Sequence, residues 1–214
     1  MLFRSRTGVL PLIIDYDKYR TPPNPAVVRR LSDGRTNVLF VGRISPNKRQ
    51  EDVIKAFAFY KRLDATARLI LAGSDETTEA YRRWLDDLVQ TLNVPDVIFT
   101  GRVELRDLVA YYQTASVLLN MSEHEGFGVP LAESMYFGVP IVAFASTAIP
   151  ETLDGSGVLI RRKDYATIAA AVHQVAHDSA LRGRLVARGR ERLRDFDPPR
   201  LLDQLRGYLL ELGA

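Results

Sequence analysis

Two acids, two glycines and a proline crowd one short stretch, "EHEGFGVPLAE", residues 123–133. Glu125 and Glu133 are separated by seven residues, the first in a turn and the second about one turn into the helix that Pro130 opens. Gly126 and Gly128 leave the backbone bare there, and a helix start presents free N–H groups and a positive dipole end to an anion. A carboxylate beside such an anion site does not bind the anion; it accepts hydrogen bonds from hydroxyls. A second loop, "VGRISPNK", residues 41–48, adds the cations Arg43 and Lys48. Cations and N–H groups for phosphates, with acids for hydroxyls, fit a ligand made of two phosphates, a ribose and a hexose. That is the chemistry of a nucleoside diphosphate sugar.

Such loops need a scaffold to bring them together. Short apolar runs, "VLFV" (Val38–Val41), "RLILAG", "VIFTG", "VLLNM", "IVAF" and "GVLI", alternate with segments whose apolar residues recur at helical spacing. Examples are Val53, Ile54, Phe57 and Tyr60, or Ile168, Ala171, Val172 and Val175. Strands of four to six residues alternating with helices predict parallel βαβ units, and strands apolar on both faces predict a sheet covered on both sides. The expected fold class is α/β, a Rossmann-like parallel sheet of about six strands flanked by helices. Open parallel sheets bind ligands beyond the carboxyl ends of their strands. The loops to read are therefore Gly42-Arg43, Gly73 to Asp75, Gly101 to Val103, Ser122 to Gly128 and Ala145 to Ala148.

The bounds are those of an ordinary globular chain. It has 214 residues, 46% hydrophobic and 26% charged, with a net charge of +3 and no cysteine. Disulfides and thiolate metal sites are excluded, and the charge is too small to imply nucleic acid. No run reaches the ~20 apolar residues of a membrane span, and no secretory signal is evident. A cytoplasmic location is expected. Residues 1–36 read as a lead-in or linker, 37–195 as the ligand-binding domain, and 196–214 as an amphipathic helix opened by Asp197-Pro198. The codons CTC TTC CGA TCT, the end of a common sequencing adaptor, encode Leu2-Phe3-Arg4-Ser5, so an artefactual extreme N-terminus is one reading of the start.

"EGFGVPLAE" resembles the Glu-x7-Glu motif of retaining GT-B glycosyltransferases, and "VGRISPNK" resembles that family's diphosphate loop. The likeness runs over residues 37 to 180. It implies that Arg43 and Lys48 neutralise the donor diphosphate and its leaving group, and that Glu125 contacts the transferred sugar; these three are the expected catalytic residues. Backbone N–H groups from Gly126 through Phe127 and Gly128 to Val129 would hold phosphate and sugar, Glu133 the ribose, and Val103 the nucleobase. The donor would be a UDP- or GDP-sugar, transferred with retention and usually without a metal; no other cofactor is implied. The resemblance also implies a second, N-terminal domain for the acceptor, expected as a missing partner of the residues read here. Arg49 stands where the family often has glycine, and Thr147-Ala148 where it often has a glycine pair.

Plainer readings stand beside these. Arg43 and Lys48 could be surface cations, Glu133 a helix-dipole acid, Asp75 a cap, and Phe127 a packing residue under the turn. Glu123 and His124 read as loop residues. His173 and His177 have metal-pair spacing but lack an evident third ligand. The arginines from Arg182 to Arg194 read as a solvated helix face, with peripheral contact to anionic lipid as the alternative. Against a transferase stand a GT-B epimerase and a nucleotide-sugar-binding module without activity of its own.

Overall fold

The computed structural model describes residues 10–212; the reading of Leu2–Ser5 lies outside them. Six parallel strands form one sheet: β1 (Asn37–Val41), β2 (Arg68–Ala72), β3 (Val97–Phe99), β4 (Val117–Asn120), β5 (Ile141–Phe144) and β6 (Val158–Ile160). Their spatial order is β3-β2-β1-β4-β5-β6. This is the doubly wound, Rossmann-like order, in which the chain runs outward from β1 on one side and then on the other. The expected α/β class and strand number are both met.

The side-chain period of two divides the strands between two cores. Val38, Phe40, Leu69, Leu71, Val117, Leu119 and Val142 face one side. There they meet α2 (Gln50–Tyr60) and α7 (Tyr165–His177) through Val53, Phe57, Ile168 and Val172. Leu39, Ile70, Leu118, Ile141 and Ala143 face the other. Here they meet α4 (Leu105–Thr114) and α5 (Val129–Phe137) through Tyr112, Leu131 and Met135. Each fully buried Val, Leu, Ile, Phe or Met side chain among them contributes roughly 1.5–3 kcal/mol.

Local signals set the helix ends. Asn24 caps α1 (Pro25–Leu31) by accepting from the Ala26 N–H, and Asp164 caps α7 by accepting from Thr167. Asp178 does the same for α8 (Ser179–Arg192) through Leu181. The α5 helix lies between two left-handed glycines, Gly128 and Gly138. The described part of the lead-in is folded onto the body, with Ile14, Tyr19, Val27 and Leu31 buried. The remaining helices are α3 (Glu79–Thr91), α6 (Ile149–Leu153) and α9 (Pro198–Leu212). Leu201 anchors α9, while Leu202, Leu209 and Leu210 stay exposed. No described helix is long and apolar enough to cross a membrane.

Candidate functional site

The strand order makes β1 and β4 neighbours, with Val38 opposite Val117 and Leu39 opposite Leu118. Their carboxyl ends are where the sheet's winding reverses, the place where a crevice opens in this architecture. The loop after β1 begins at Gly42, whose N–H donates to the Ala72 carbonyl at 2.9 Å, and Ile44 donates to Ser74 at 2.9 Å. Buried Gln50 reaches back to the Arg43 carbonyl at 2.9 Å. These bonds hold the loop against β2. Gly73 makes the approach possible: a Cβ there would meet the Gly42 oxygen at 2.0 Å. A 3-10 turn, Pro46–Lys48, then aims Lys48 toward the next loop.

The loop after β4 meets it. Lys48 Nζ donates to both carboxylate oxygens of Glu125, at 2.8 and 2.7 Å. The Glu123 N–H donates to the Asn47 carbonyl at 3.0 Å. Glu125 is buried, so its charge needs the lysine. Beyond it, the N–H groups of Gly126, Phe127 and Gly128 take no part in any hydrogen bond among the described residues. They lead directly into the positive end of α5. A cation and free N–H groups flanking one carboxylate can bind a polyanion and, beside it, hydroxyls.

A cleft of about 980 Å³ collects Arg43, Lys48, Glu125, Gly126, Phe127, Gly128 and Val129. Seven of the nine site residues expected from the sequence thus share one wall. Arg43 is exposed there. Phe127 packs its ring edge-on against Phe196 at 5.0 Å, while its carbonyl accepts from Thr152 at 2.7 Å. The other walls come from Ala148, in the loop after β5, and from segments that no local pattern pointed to: Leu10 to Ile13, Glu151 and Arg192. Arg192 is not a free cation. Its guanidinium donates to the carbonyls of Thr152 and Glu151 and to Asp195.

Val103 and Glu133 lie outside that lining. Val103 follows β3, at the sheet's edge, and packs on the second core. Glu133 is buried one turn deeper in α5, and two tyrosine hydroxyls donate to it: Tyr19 of the lead-in to Oε1, and Tyr112 of α4 to Oε2 at 2.6 Å. Burial, and the Glu133 charge beside it, push the Tyr112 hydroxyl well above its ordinary pKa. Burial, then its hydrogen bond to Glu133 and that group's charge, raise Tyr19. Both therefore remain neutral donors. Nothing in the local sequence around Tyr19 or Tyr112 signals this contact, which joins residues 114 and 21 positions from Glu133.

A charged cluster borders the site. Asp52 accepts from Lys163 at 2.7 Å, Tyr165 at 2.8 Å and Arg49 at 3.1 Å. Burial alone would raise the Asp52 carboxyl; these hydrogen bonds outweigh it and hold the group below the usual carboxylate range. Elsewhere, the His173 and His177 rings lie 4.5 Å apart, and among the described residues no group of three or more His, Cys, Asp or Glu side chains is placed to hold a metal.

A family model described as Glycosyl transferases group 1 matches residues 27–192. A D-inositol 3-phosphate glycosyltransferase of Geodermatophilus obscurus is 32% identical over 211 residues, covering 94% of this chain and 46% of its own. The chain spans about half the length of the curated relatives it matches. Among solved structures, sucrose-phosphate synthase from Thermosynechococcus elongatus superimposes with a TM-score of 0.81 at 27% identity, over 97% of this chain and 53% of that one. Anabaena HepE, solved in complex with UDP-glucose, shares the fold, with a TM-score of 0.81 at 20% identity over 95% and 57% of the two chains. The Rossmann-like body corresponds to one half of a GT-B structure.

Proposed function

The chain belongs to the glycosyl transferases group 1 family, and from that premise we propose that it is the donor-binding half of a retaining hexosyltransferase acting from a nucleoside diphosphate sugar. The observation that carries the reading is the Lys48–Glu125 pair, set at the reversal of the sheet beside the free N–H groups of Gly126 to Gly128. In this reading Lys48 and exposed Arg43 take the diphosphate. Their charge stabilises the leaving group as the anomeric bond breaks. The N–H groups from Gly126 to Val129 share that charge. Glu125, already fixed by Lys48, accepts from hydroxyls of the sugar. Glu133 would reach the ribose with whatever acceptor capacity the two tyrosines leave: a carboxylate has about four lone-pair sites, of which Tyr19 and Tyr112 use two. Val103 would flank the base. The acceptor and the second wall of the cleft would come from an N-terminal domain, in a protein working in the cytoplasm.

Titration calorimetry of this chain with UDP, GDP and their sugars tests the reading. UDP-glucose is the first donor to try, because HepE shares the fold and was solved with it. Saturable binding that weakens in Lys48→Ala and is lost in Glu133→Ala is the expected result; no binding of any nucleotide overturns it. A second reading has an observation in its favour. The chain covers only 46% of a relative that it matches over 94% of itself. On its own it would then bind the donor without transferring it, and sugar transfer by the isolated chain would rule that out.

A further inference from the structure

Among the described residues, five non-glycines have positive φ: Arg49, Asn93, Asp96, Thr147 and Asp154. Asparagine and aspartate visit this region readily, because their short side chains bond locally. Arginine and β-branched threonine do not, and a non-glycine held there costs free energy that the surroundings must offset. Arg49 (φ 55) and Thr147 (φ 40) lie on different loops, after β1 and after β5. Both side chains nevertheless reach the same short segment, Glu123 to Glu125.

Thr147 Oγ1 accepts from the Glu125 N–H at 2.9 Å and donates to the Glu125 carbonyl at 2.9 Å. One hydroxyl thus satisfies both backbone groups of the residue that faces Lys48. The Arg49 guanidinium lies 2.9 Å from Glu51, 3.1 Å from Asp52 and 3.4 Å from Glu123. It is the residue directly after Lys48, so it links the lysine's own turn to the glutamate loop. Lys163 duplicates part of this link, at 2.7 Å from Asp52 and 2.9 Å from Glu123.

We propose that Arg49 and Thr147 are positioning residues of the donor site, each held in a backbone conformation that suits glycine so that its side chain can fix the Glu123–Glu125 segment opposite Lys48. The inference rests on the donor-binding reading above. Glycine at either position would relieve the backbone and release the loop. Stability and ligand affinity should therefore part company, which a purely structural role would not produce. Among the described residues Thr147 alone bonds the Glu125 backbone, whereas Arg49 is backed by Lys163, so the threonine carries the larger effect.

The test is calorimetric titration with UDP and GDP, alongside thermal melts, on the 214-residue chain and its variants Thr147→Gly, Thr147→Ser and Arg49→Gly. Thr147→Gly should weaken nucleotide binding about tenfold, well inside the ~100-fold that a 1 Å misplacement can cost. Arg49→Gly should weaken it about threefold. Both should melt within about 4 °C of the parent. Thr147→Ser keeps the hydroxyl and should restore affinity to within about twofold. Hydrogen exchange of the ligand-free chain adds a second measure: residues 122–127 should exchange faster in Thr147→Gly, with other segments unchanged. A parent that binds while both glycine variants bind equally well, or unchanged exchange in the loop, overturns this inference alone. A parent that binds neither nucleotide overturns the donor-binding reading and this inference with it.

Discussion

Lys48 grips both carboxylate oxygens of Glu125, at 2.8 and 2.7 Å, across the gap between the loops that follow β1 and β4. The side chains are 22% and 8% exposed, so the pair is largely shielded from water. Each member is what makes the other tolerable there. Removing one leaves a mostly buried charge alone, which costs about 3–5 kcal/mol in fully buried pairs and less where water reaches.

Lys48→Ala should accordingly lower unfolding stability by about 1–3 kcal/mol and weaken nucleotide binding, whereas Glu125→Gln should spare nucleotide affinity and depress use of the sugar. Urea melts and paired titrations with UDP and UDP-glucose separate the two effects. Equal losses for nucleotide and nucleotide sugar in Glu125→Gln would remove that residue from the sugar subsite.

Glu133 relies on Tyr112 for a buried hydrogen bond at 2.6 Å. Tyr112→Phe keeps the ring, which stacks on Phe137 at 5.0 Å, and deletes only the donor. The expected cost is about 1–3 kcal/mol, because a buried carboxylate oxygen loses its partner. A denaturant midpoint identical to that of the parent would show that water replaces the hydroxyl.

Asp52 makes stability depend on acid. Its folded-state pKa lies below its unfolded value, so its contribution is complete above the unfolded value of about 3.9 and is lost as pH falls through the folded one. Asp52→Asn should be less stable than the parent by roughly 3 kcal/mol at pH 7, since Lys163 and Arg49 lose their shared partner. The difference should shrink below pH 4. Melting curves from pH 7 to pH 2.5 check this; a gap that stays constant across the range would deny Asp52 that role.

Gly73→Ala places a methyl 2.0 Å from the backbone oxygen of Gly42, where no side chain can yield. One of the two loops must move, at a cost of about 3 kcal/mol or more. Because Gly42 begins the loop that carries Arg43 and Lys48, nucleotide binding should fall with it. Calorimetry beside a melt reads both; a variant as stable as the parent would mean that the loops are looser than these contacts imply.

Much of the fold is legible in the sequence. Each expected strand lies where its apolar run does, and α2 and α7 carry the periodic residues that predicted them. Local periodicity reports on burial, and in a sheet covered on both faces nearly every strand residue is buried. The ends of the chain were less readable. In the lead-in, α1 is only seven residues long, too short for a period to stand out. The arginines read as a solvated face in part bond back to the body: half-buried Arg182 and Arg192 donate to the carbonyls of Ser116 and Thr152, and exposed Arg188 to that of Gly155. A guanidinium on a long stem leaves no trace in the sequence of which carbonyl it will find.

By itself, then, the sequence determined the alternation of strands and helices and the two loops rich in glycine, cations and acids. These are properties of neighbours along the chain. Only the tertiary structure decided that β1 and β4 lie side by side, and hence that Lys48 meets Glu125 from 77 residues away. It alone sent Tyr19 across 114 residues to Glu133 and set Thr147 against the backbone of Glu125. The physical reason is that strand order is chosen by packing and connection over the whole domain, and a side-chain partner follows from that order rather than from the residues beside it.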